Sequence, residues 1–340
     1  MSNRENKYSF MEANIFKEFM RGIIDYAGMY PPAVLGLKPA FANYIQYLES
    51  EDEWIISKFV CSVKSFSDIF AKKDVKKILD GYKGGRWIDF SILITGGQDQ
   101  KEFKSMLEKE CGIIRDILAA NTGKISVSSL EAKISSGMIN TFANYSLKKL
   151  LNKSSEIINN YDLTGARLYV EPEINAKYET IFSKTAEAAA ECDHKGGRAG
   201  FKLRTGGVTP DAFPTIEQVA AALDACKENQ AHFKATAGLH HPVRHFNRTV
   251  GTKMHGFLNI FGAGILHFAN TLSMKELKEI LSDESSTGFV FSEDEFYWND
   301  IAADAEKTMK ARSGFVTSFG SCSFDEPRED LKNIGLWFNT

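Results

Sequence analysis

Eight short β-type runs recur along the chain with helix-length stretches between them, and this alternation restricts the fold most strongly. Strands that alternate with helices are typical of a parallel α/β protein. Neither G-x-G-x-x-G after the first run nor G-x-x-x-x-G-K-[ST] occurs, which disfavours an open doubly wound sheet. The sequence therefore predicts a closed (β/α)8 TIM barrel. The predicted strands are 22–30, 54–63, 87–95, 125–134, 166–174, 199–207, 231–239 and 288–291.

The domain organisation follows from what separates these runs. The 340 residues contain no Pro-, Gly- or Ser-rich linker and no charge block, so we expect a single domain. The barrel is predicted at about 20–300, and the segment 301–340, which has no place in a minimal barrel, is predicted to be a C-terminal extension. Thr215-Ile-Glu-Gln218 and Ser273-Met-Lys-Glu276 match the capping box and predict two helix starts.

The charge distribution indicates the class of partner. The chain has 41 basic and 44 acidic residues, a formal charge of −3, and no basic face for nucleic acid or anionic lipid. A small-molecule partner is therefore expected, with neither nucleic acid nor membrane. Exposed barrel helices often pair subunits, so a homo-oligomer is compatible with the sequence.

Cysteine usage and apolar segments indicate the compartment. The five cysteines are widely spaced without a C-x-x-C pair, so they are predicted to be reduced core thiols. The polar residues 1–7 lead into no continuous apolar segment, which argues against a secretory signal and favours the cytoplasm. The apolar stretch 254–272 is broken by histidines and asparagines, so it is predicted to be a buried helix rather than a membrane span.

Ionisable side chains occupy one face of three predicted strands. Barrel side chains alternate inward and outward, and active sites lie at the C-terminal strand ends. The alternate positions on these strands are apolar and suit contact with helices, so the polar sets are predicted to point inward. Such charges must be paired when buried, and they form either a salt-bridge layer or an active site. The sets are Tyr169, Glu171 and Glu173 on the fifth strand, Lys202 and Arg204 on the sixth, and His232, Lys234 and Thr236 on the seventh.

Glycines follow both lysine-bearing strands. Gly206-Gly207 and Gly238 have bare backbones that can approach a ligand and present N–H groups to an anion. The predicted site therefore takes a small anionic metabolite, a class that includes phosphorylated compounds, without a favoured cofactor. Its predicted substrate-binding residues are Arg204, Thr205, Gly206, Gly207, Thr236, Gly238, His240 and His241.

The same residues resemble a known family. Lys202-Leu-Arg-Thr-Gly-Gly207, a Thr-Ile-Glu-Gln-Val-Ala helix and Lys234-Ala-Thr-Ala-Gly238 resemble the sixth and seventh strands of class I aldolases of the deoxyribose-phosphate aldolase type. The resemblance implies a Schiff-base nucleophile at Lys202, an electrostatic activator at Lys234 and phosphate-holding glycines. This sequence departs from that family at Arg204, where the family has a small residue, and at Leu239-His-His-Pro-Val-Arg244.

The whole chain also resembles a second group. With Asp25-Tyr-Ala-Gly-Met-Tyr-Pro-Pro-Ala33 near the start and Phe319-Gly-Ser-Cys-Ser-Phe324 near the end, it is similar to an uncharacterised bacterial (β/α)8-barrel family. That resemblance implies a fold and supplies no substrate.

Two chemical hypotheses follow from the lysines themselves. An amine attacks a carbonyl only when neutral, and a neighbouring cation in a dehydrated barrel lowers a lysine pKa from about 10.4 toward neutrality. Glu171, Glu173 and Asp25 are then the candidate acid/base groups for a carbon–carbon lyase. In the other hypothesis, Lys202 pairs with Glu171 or Glu173 and stays charged, in a barrel that binds small molecules without catalysis.

The histidines support a third hypothesis. Five of them fall between His232 and His255, and His240 or His241 together with Glu171 or Glu173 are candidate ligands for a divalent metal in a hydrolase, isomerase or aldolase. Asp25 and Glu131 are further candidate carboxylates for that metal. In the alternative, His240 orients the substrate while His245 and His255 bond to backbone carbonyls.

Overall fold

A computed structural model of the chain describes residues 14–139 and 144–337; the polar residues 1–7 lie outside them. The first seven strands follow chain order: β1 (Ile24–Tyr26), β2 (Ile56–Ser62), β3 (Ile88–Leu93), β4 (Ile125–Ile134), β5 (Arg167–Pro172), β6 (Ala199–Arg204) and β7 (His232–Thr236). A hairpin of β8 (His245–Asn247) and β9 (Thr252–Met254) and an antiparallel sheet of β10 (Phe289–Phe291), β11 (Glu295–Trp298) and β12 (Ile301–Asp304) come next. Strand β13 (Val316–Ser321) is the last.

The strands β1 to β7 and β13 close into a barrel in which every pair is parallel, with β13 lying between β7 and β1. The predicted (β/α)8 fold is therefore confirmed. The helices are α1 (Ile15–Met20), α2 (Leu37–Leu48), α3 (Val63–Ala71), α4 (Lys73–Gly81), α5 (Gln100–Ala120), α6 (Asn144–Asn160), α7 (Tyr178–His194), α8 (Ile216–Asn229), α9 (Phe257–Asn270), α10 (Met274–Ser282), α11 (Ala305–Gly314) and α12 (Asp325–Asn333).

The position of the eighth barrel strand differs from the prediction. The prediction that 288–291 forms the eighth barrel strand is wrong, because β10 pairs antiparallel with β11 outside the barrel. The eighth barrel strand is β13, inside the segment 301–340 predicted to be an extension, so the barrel continues to Ser321. The strands β10 to β12 and the helix α12 are additions to the eight-stranded barrel.

Side-chain packing explains why β10 gave the stronger strand signal. In β10, Phe291 contacts Phe16 and Phe19 of α1, each with ring centroids 5.3 Å apart. In β13, Phe319 packs outward onto Phe257 of α9 at 5.4 Å, whereas Ser318 points inward to a carboxylate. The apolar residues of β10 therefore led to the wrong choice of strand. The polar inward residues of β13 gave no apolar strand pattern in the sequence.

The predicted alternation on the sixth and seventh strands is confirmed. Phe201 packs outward on Phe182 of α7 with ring centroids 5.4 Å apart, and it stacks on Phe233 at 6.2 Å. Lys202 and Lys234, one residue further on, are paired in register and buried inside the barrel. The alternation of side chains along β6 and β7 thus places aromatic groups against the helices and ammonium groups inside the barrel.

The two predicted helix starts, the predicted buried helix and the predicted buried thiols are also observed. Both capping boxes form, at Thr215 for α8 and at Ser273 for α10. The apolar stretch 254–272 forms the buried helix α9, and no helix among the described residues is long and apolar enough to cross a bilayer. All five cysteines are buried free thiols, as predicted.

Candidate active site

Seven ionisable side chains form one connected set inside the barrel, which we call the interior charge cluster. Contacts between opposite charges link them in an alternating order, so that each carboxylate lies between two cations. Four cations face three carboxylates, an excess of one positive charge. In contact order the members are Lys58, Asp25, Lys234, Glu131, Lys202, Glu171 and Arg204.

Lys202 lies between two carboxylates. Its Nζ is 2.7 Å from Glu131 Oε2 and 2.8 Å from Glu171 Oε2. The side chain of Lys202 is 7% exposed, against 1% for Lys234. Of the two paired lysines, Lys202 is therefore the one closer to solvent and to an entering molecule.

Lys234 is held more tightly. Its Nζ is 2.6 Å from Asp25 Oδ2, 2.5 Å from Glu131 Oε1 and 3.3 Å from the hydroxyl oxygen of Ser91, to which it donates. The ring of Tyr169 lies 5.7 Å from this nitrogen. Burial alone would lower the pKa of Lys234, but Asp25 and Glu131 outweigh burial and raise it above its ordinary value. Lys234 is a fixed cation.

The carboxylates are held ionised by the same contacts. Burial alone would raise the pKa of Glu131, yet Lys202 and Lys234 lower it far below its ordinary value. Asp25 behaves alike: burial opposes ionisation, and Lys234 with Lys58 lowers its pKa. Ser318 of β13 donates a hydrogen bond to Asp25 Oδ2 at 2.6 Å, so the eighth strand contributes directly to the cluster.

Arg204 forms the exposed end of the cluster. Its Nε donates to Glu171 Oε1 at 2.8 Å, and its side chain is 39% exposed. Glu171 has a lowered pKa because Lys202 and Arg204 outweigh the opposing effect of burial. The rest of the guanidinium is available to an anion that reaches the C-terminal end of the barrel.

Glu173 does not join these groups. Its side chain lies at the surface and accepts hydrogen bonds from the amide of Ser136 at 3.0 Å and the hydroxyl of Ser136 at 2.7 Å. These bonds lower the pKa of Glu173. The predicted inward direction of Glu173 is therefore wrong, because β5 ends at Pro172 and the strand alternation does not continue into the loop.

The glycines after β6 and β7 bring two backbones together. A Cβ on Gly206 would lie 2.8 Å from the Cα of Gly238 and 2.7 Å from the ring of Phe213. Gly238 has φ +76°, which favours glycine, and Thr205 donates to the carbonyl of Ala237 at 2.6 Å. The absence of a side chain at Gly206 and Gly238 therefore allows the loops after β6 and β7 to contact each other.

The same loops leave amide groups unused. Within the described residues, the amides of Gly206, Gly207 and Gly238 form no hydrogen bond to the protein. Thr236 lies in register with both Arg204 and Gly320 of the eighth strand. These unused amide donors are compatible with the prediction that the loops after β6 and β7 bind an anion beside Arg204.

The histidines lie away from the interior carboxylates. His240 Nδ1 is 3.2 Å from Glu326 Oε2, and His241 Nδ1 contacts Asp330, so both face α12. His245 bonds to the carbonyl of Val243 and His255 to that of Pro214, which confirms the backbone-bonding alternative for these two. No group of three or more His, Cys, Asp or Glu side chains in residues 14–139 and 144–337 has the arrangement of a metal site.

The other end of the barrel carries a separate cavity of about 440 Å³, lined partly by Arg167, Asp193 and Arg198. Arg167 pairs with Asp193 at 2.6 Å, at the N-terminal start of β5. Burial and Arg167 lower the pKa of His232, beside them, to about 4. Barrel enzymes place chemistry at the opposite end, so we interpret this cavity as structural.

Two members of the interior charge cluster and two serines that hydrogen-bond to it were not recognised as such from sequence. Glu131, which contacts both paired lysines, was considered only as a metal ligand, while Lys58, Ser91 and Ser318 were not considered. Alternation on β4 contained a usable signal, because Ser129 and Glu131 share the inward parity. A bulge where β3 pairs with β4 makes this signal hard to read.

No protein-family model and no curated protein matches this sequence. Among solved structures, the chain is similar to a putative deoxyribose-phosphate aldolase from Toxoplasma gondii, with 11% identity, 98% of this chain and 100% of that chain covered, and a TM-score of 0.48. It is also similar to a probable 3-DHS dehydratase from Bacillus anthracis, with 11% identity, coverages of 92% and 98%, and a TM-score of 0.45. A hydroxymethylglutaryl-CoA lyase from Pseudomonas aeruginosa has 13% identity, coverages of 64% and 67%, and a TM-score of 0.32.

Proposed function

We propose that the protein is a small-molecule enzyme that forms a Schiff base between Lys202 and the carbonyl group of an anionic metabolite, in an aldolase-like carbon–carbon lyase reaction. One observation carries this proposal: Lys202 has two proton acceptors, Glu131 and Glu171, in direct contact and a fixed cation next to it in register. The resemblance of the two lysine strands to class I aldolases agrees with this assignment.

The contacts of the two paired lysines support Lys202 rather than Lys234 as the nucleophile. Lys234 is almost fully buried between Asp25 and Glu131, and its raised pKa keeps it a cation. Lys202 lies closer to solvent and contacts two carboxylates that can accept its proton.

The steps follow from these positions. Lys202 passes a proton transiently to Glu131 or Glu171, and the free amine attacks the substrate carbonyl carbon to form a C–N bond. The carboxylic acid gives that proton to the carbonyl oxygen, and the same carboxylate then carries a second proton from the substituted nitrogen to this oxygen, so that water leaves as the iminium forms. The iminium then accepts the electron pair of the breaking carbon–carbon bond, and a carboxylate takes the proton of the hydroxyl group on the departing carbon.

Arg204 and the glycine loops select the substrate in this proposal. The exposed part of the Arg204 guanidinium and the unused amides after β6 and β7 offer donors to a phosphate or carboxylate group. An anion bound there would place its carbonyl group deeper in the barrel, toward Lys202. The substrate class is thus a small carbonyl compound with an anionic end.

A second candidate is a barrel that binds small anions without catalysis. The specific observation that favours it is the pairing of Lys202 with two carboxylates, which stabilises the charged ammonium. In that case Lys202 is a structural partner and Arg204 retains the ligand-binding role.

Reductive trapping separates the two candidates. The protein is incubated with acetaldehyde, pyruvate or dihydroxyacetone phosphate, reduced with borohydride, digested and analysed by mass spectrometry. The proposal expects an adduct on the Lys202 peptide, its absence in Lys202→Arg and its retention in the surface variant Lys310→Arg. If no carbonyl compound labels Lys202, or if labelling is spread over surface lysines equally, the non-catalytic candidate replaces the Schiff-base proposal.

A further inference from the structure

A thiol, an imidazole and a carboxylate meet at the C-terminal end of the barrel, apart from the interior charge cluster. Cys322 directly follows β13, His240 lies in the loop after β7, and Glu326 is in α12. The Cys322 sulfur is 3.8 Å from His240 Nδ1, and that nitrogen is 3.2 Å from Glu326 Oε2. The proposed reaction at Lys202 uses none of these three side chains.

His240 supplies a positive charge to this group. Burial alone would lower the pKa of His240, but its bonds with Cys322 and Glu326 raise it to about 9. A protonated His240 carries one hydrogen on Nδ1, and both the sulfur and the carboxylate lie within reach of that nitrogen. Glu326 is 43% exposed, so water screens its charge, whereas the buried sulfur interacts with the imidazolium through a less polar medium.

The other four cysteines provide an internal contrast. Cys61, Cys111 and Cys226 are 0% exposed and Cys192 is 1% exposed, against 8% for Cys322. Burial raises the pKa of Cys111 to about 12 and that of Cys192 to about 11, and it raises the pKa of Cys61 and Cys226 further. Reactive cysteines lie next to cations and near the surface, whereas buried apolar cysteines are inert.

We propose that the sulfur of Cys322, in contact with His240, is the nucleophile at which a hydroperoxide oxidises this protein. The thiolate sulfur attacks one oxygen of the peroxide, so that an S–O bond forms while the O–O bond breaks. The sulfur is oxidised to a sulfenic acid and the peroxide is reduced. The departing hydroxide takes the Nδ1 proton of His240 and leaves as water.

The test uses the full chain in its native state. The protein is treated with hydrogen peroxide in the presence of dimedone, and the rate of adduct formation is followed for each cysteine peptide by mass spectrometry. We expect Cys322 to react at least about tenfold faster than each of the other four, and His240→Gln to lower its rate by about tenfold or more. Cys61→Ser is the matched control and leaves the Cys322 rate unchanged.

Two results overturn the proposal. The first is a rate of adduct formation at Cys322 that is no higher than the rate at the other four cysteines. The second is a Cys322 rate that stays unchanged in a folded His240→Gln variant, where unlabelled thiols at the other four positions show that the variant is folded. If that variant does not fold, the rate at which iodoacetamide alkylates Cys322 of the wild-type protein is measured between pH 6 and 8. The pH dependence of this rate then tests the proposal. A rate that is nearly constant supports the thiolate–imidazolium pair, and a rate that rises about tenfold per pH unit refutes it.

Discussion

Substitution of Lys234 by methionine tests whether the interior charge cluster stabilises the fold. Methionine keeps an unbranched stem of similar length and removes only the ammonium group. In the variant, Asp25 and Glu131 lose a cation that lies 2.6 and 2.5 Å away. Two fully buried carboxylates are then under-compensated, so we expect a large destabilisation.

The magnitude follows from what remains around each carboxylate. Removal of one partner from a buried ion pair typically costs about 3–5 kcal/mol. Asp25 retains Lys58 at 3.4 Å and Ser318 at 2.6 Å, and Glu131 retains Lys202 at 2.7 Å. Because each carboxylate keeps one cation, we expect the lower end of that range, about 3 kcal/mol, for Lys234→Met at pH 7.

The pH dependence gives the sign of the effect. The folded-state pKa values of Asp25 and Glu131 lie below their ordinary values, so their contribution is present above about pH 4 and is lost as the pH falls. The free-energy difference between wild type and Lys234→Met should therefore stay nearly constant from pH 7 to about pH 4.5 and shrink below about pH 4. Urea unfolding followed by tryptophan fluorescence at about pH 7, 5 and 3 measures it.

The control is an ion pair with the same contact distance at the surface. Lys310 lies 2.6 Å from Glu306, but the two side chains are 59% and 70% exposed, so Lys310→Met should change stability little. If Lys234→Met costs no more than Lys310→Met, or if its cost is the same at about pH 7 and about pH 3, buried charge pairing does not stabilise this fold.

Three further outcomes are expected. Arg204→Leu should weaken binding of inorganic phosphate, measured by calorimetry, by about tenfold or more, because a charge-assisted hydrogen bond contributes about 1.5–3 kcal/mol; equal affinity in both proteins contradicts this. Gly206→Ala should cost about 1–3 kcal/mol in urea unfolding because its Cβ meets backbone at 2.8 Å, whereas Gly85→Ala, with open space around it, should be neutral. The contacts of α12 with His240 should be fully present below about pH 6.5 and lost as the pH rises through about 9, because the folded pKa is raised. Amide hydrogen exchange of α12, corrected for intrinsic rate, should accordingly increase across that window in wild type and stay flat in His240→Gln.

The barrel itself could be predicted because alternation and parity are local properties. Phe201 and Phe233 face helices while Lys202 and Lys234 face inward, as a period of two requires. The eighth strand could not be placed in the same way. Ser318 and Gly320 occupy its inward positions because they face Asp25 and Thr236, and these small residues carry no apolar strand signal.

The inward direction of the two lysines could be predicted from sequence, but their contacts could not. Glycines after the strands and inward lysines predicted the two strand ends at which the site is proposed, whereas the contact of Glu131 with both lysines depends on the barrel register across β4 to β7. His240 and His241 were predicted to face the substrate or a metal. They instead contact α12, a helix that follows the eighth strand and whose position depends on closure of the barrel.

A crystal structure of the borohydride-reduced complex tests whether Lys202 is the nucleophile. Crystals prepared with the carbonyl compound that gives the highest yield of adduct should show continuous density from Lys202 Nζ to the former carbonyl carbon. The anionic end of the ligand should lie near Arg204 and the amides of Gly206 and Gly207. A ligand bound there without a covalent bond, with Lys202 still between Glu131 and Glu171, would contradict the Schiff-base proposal.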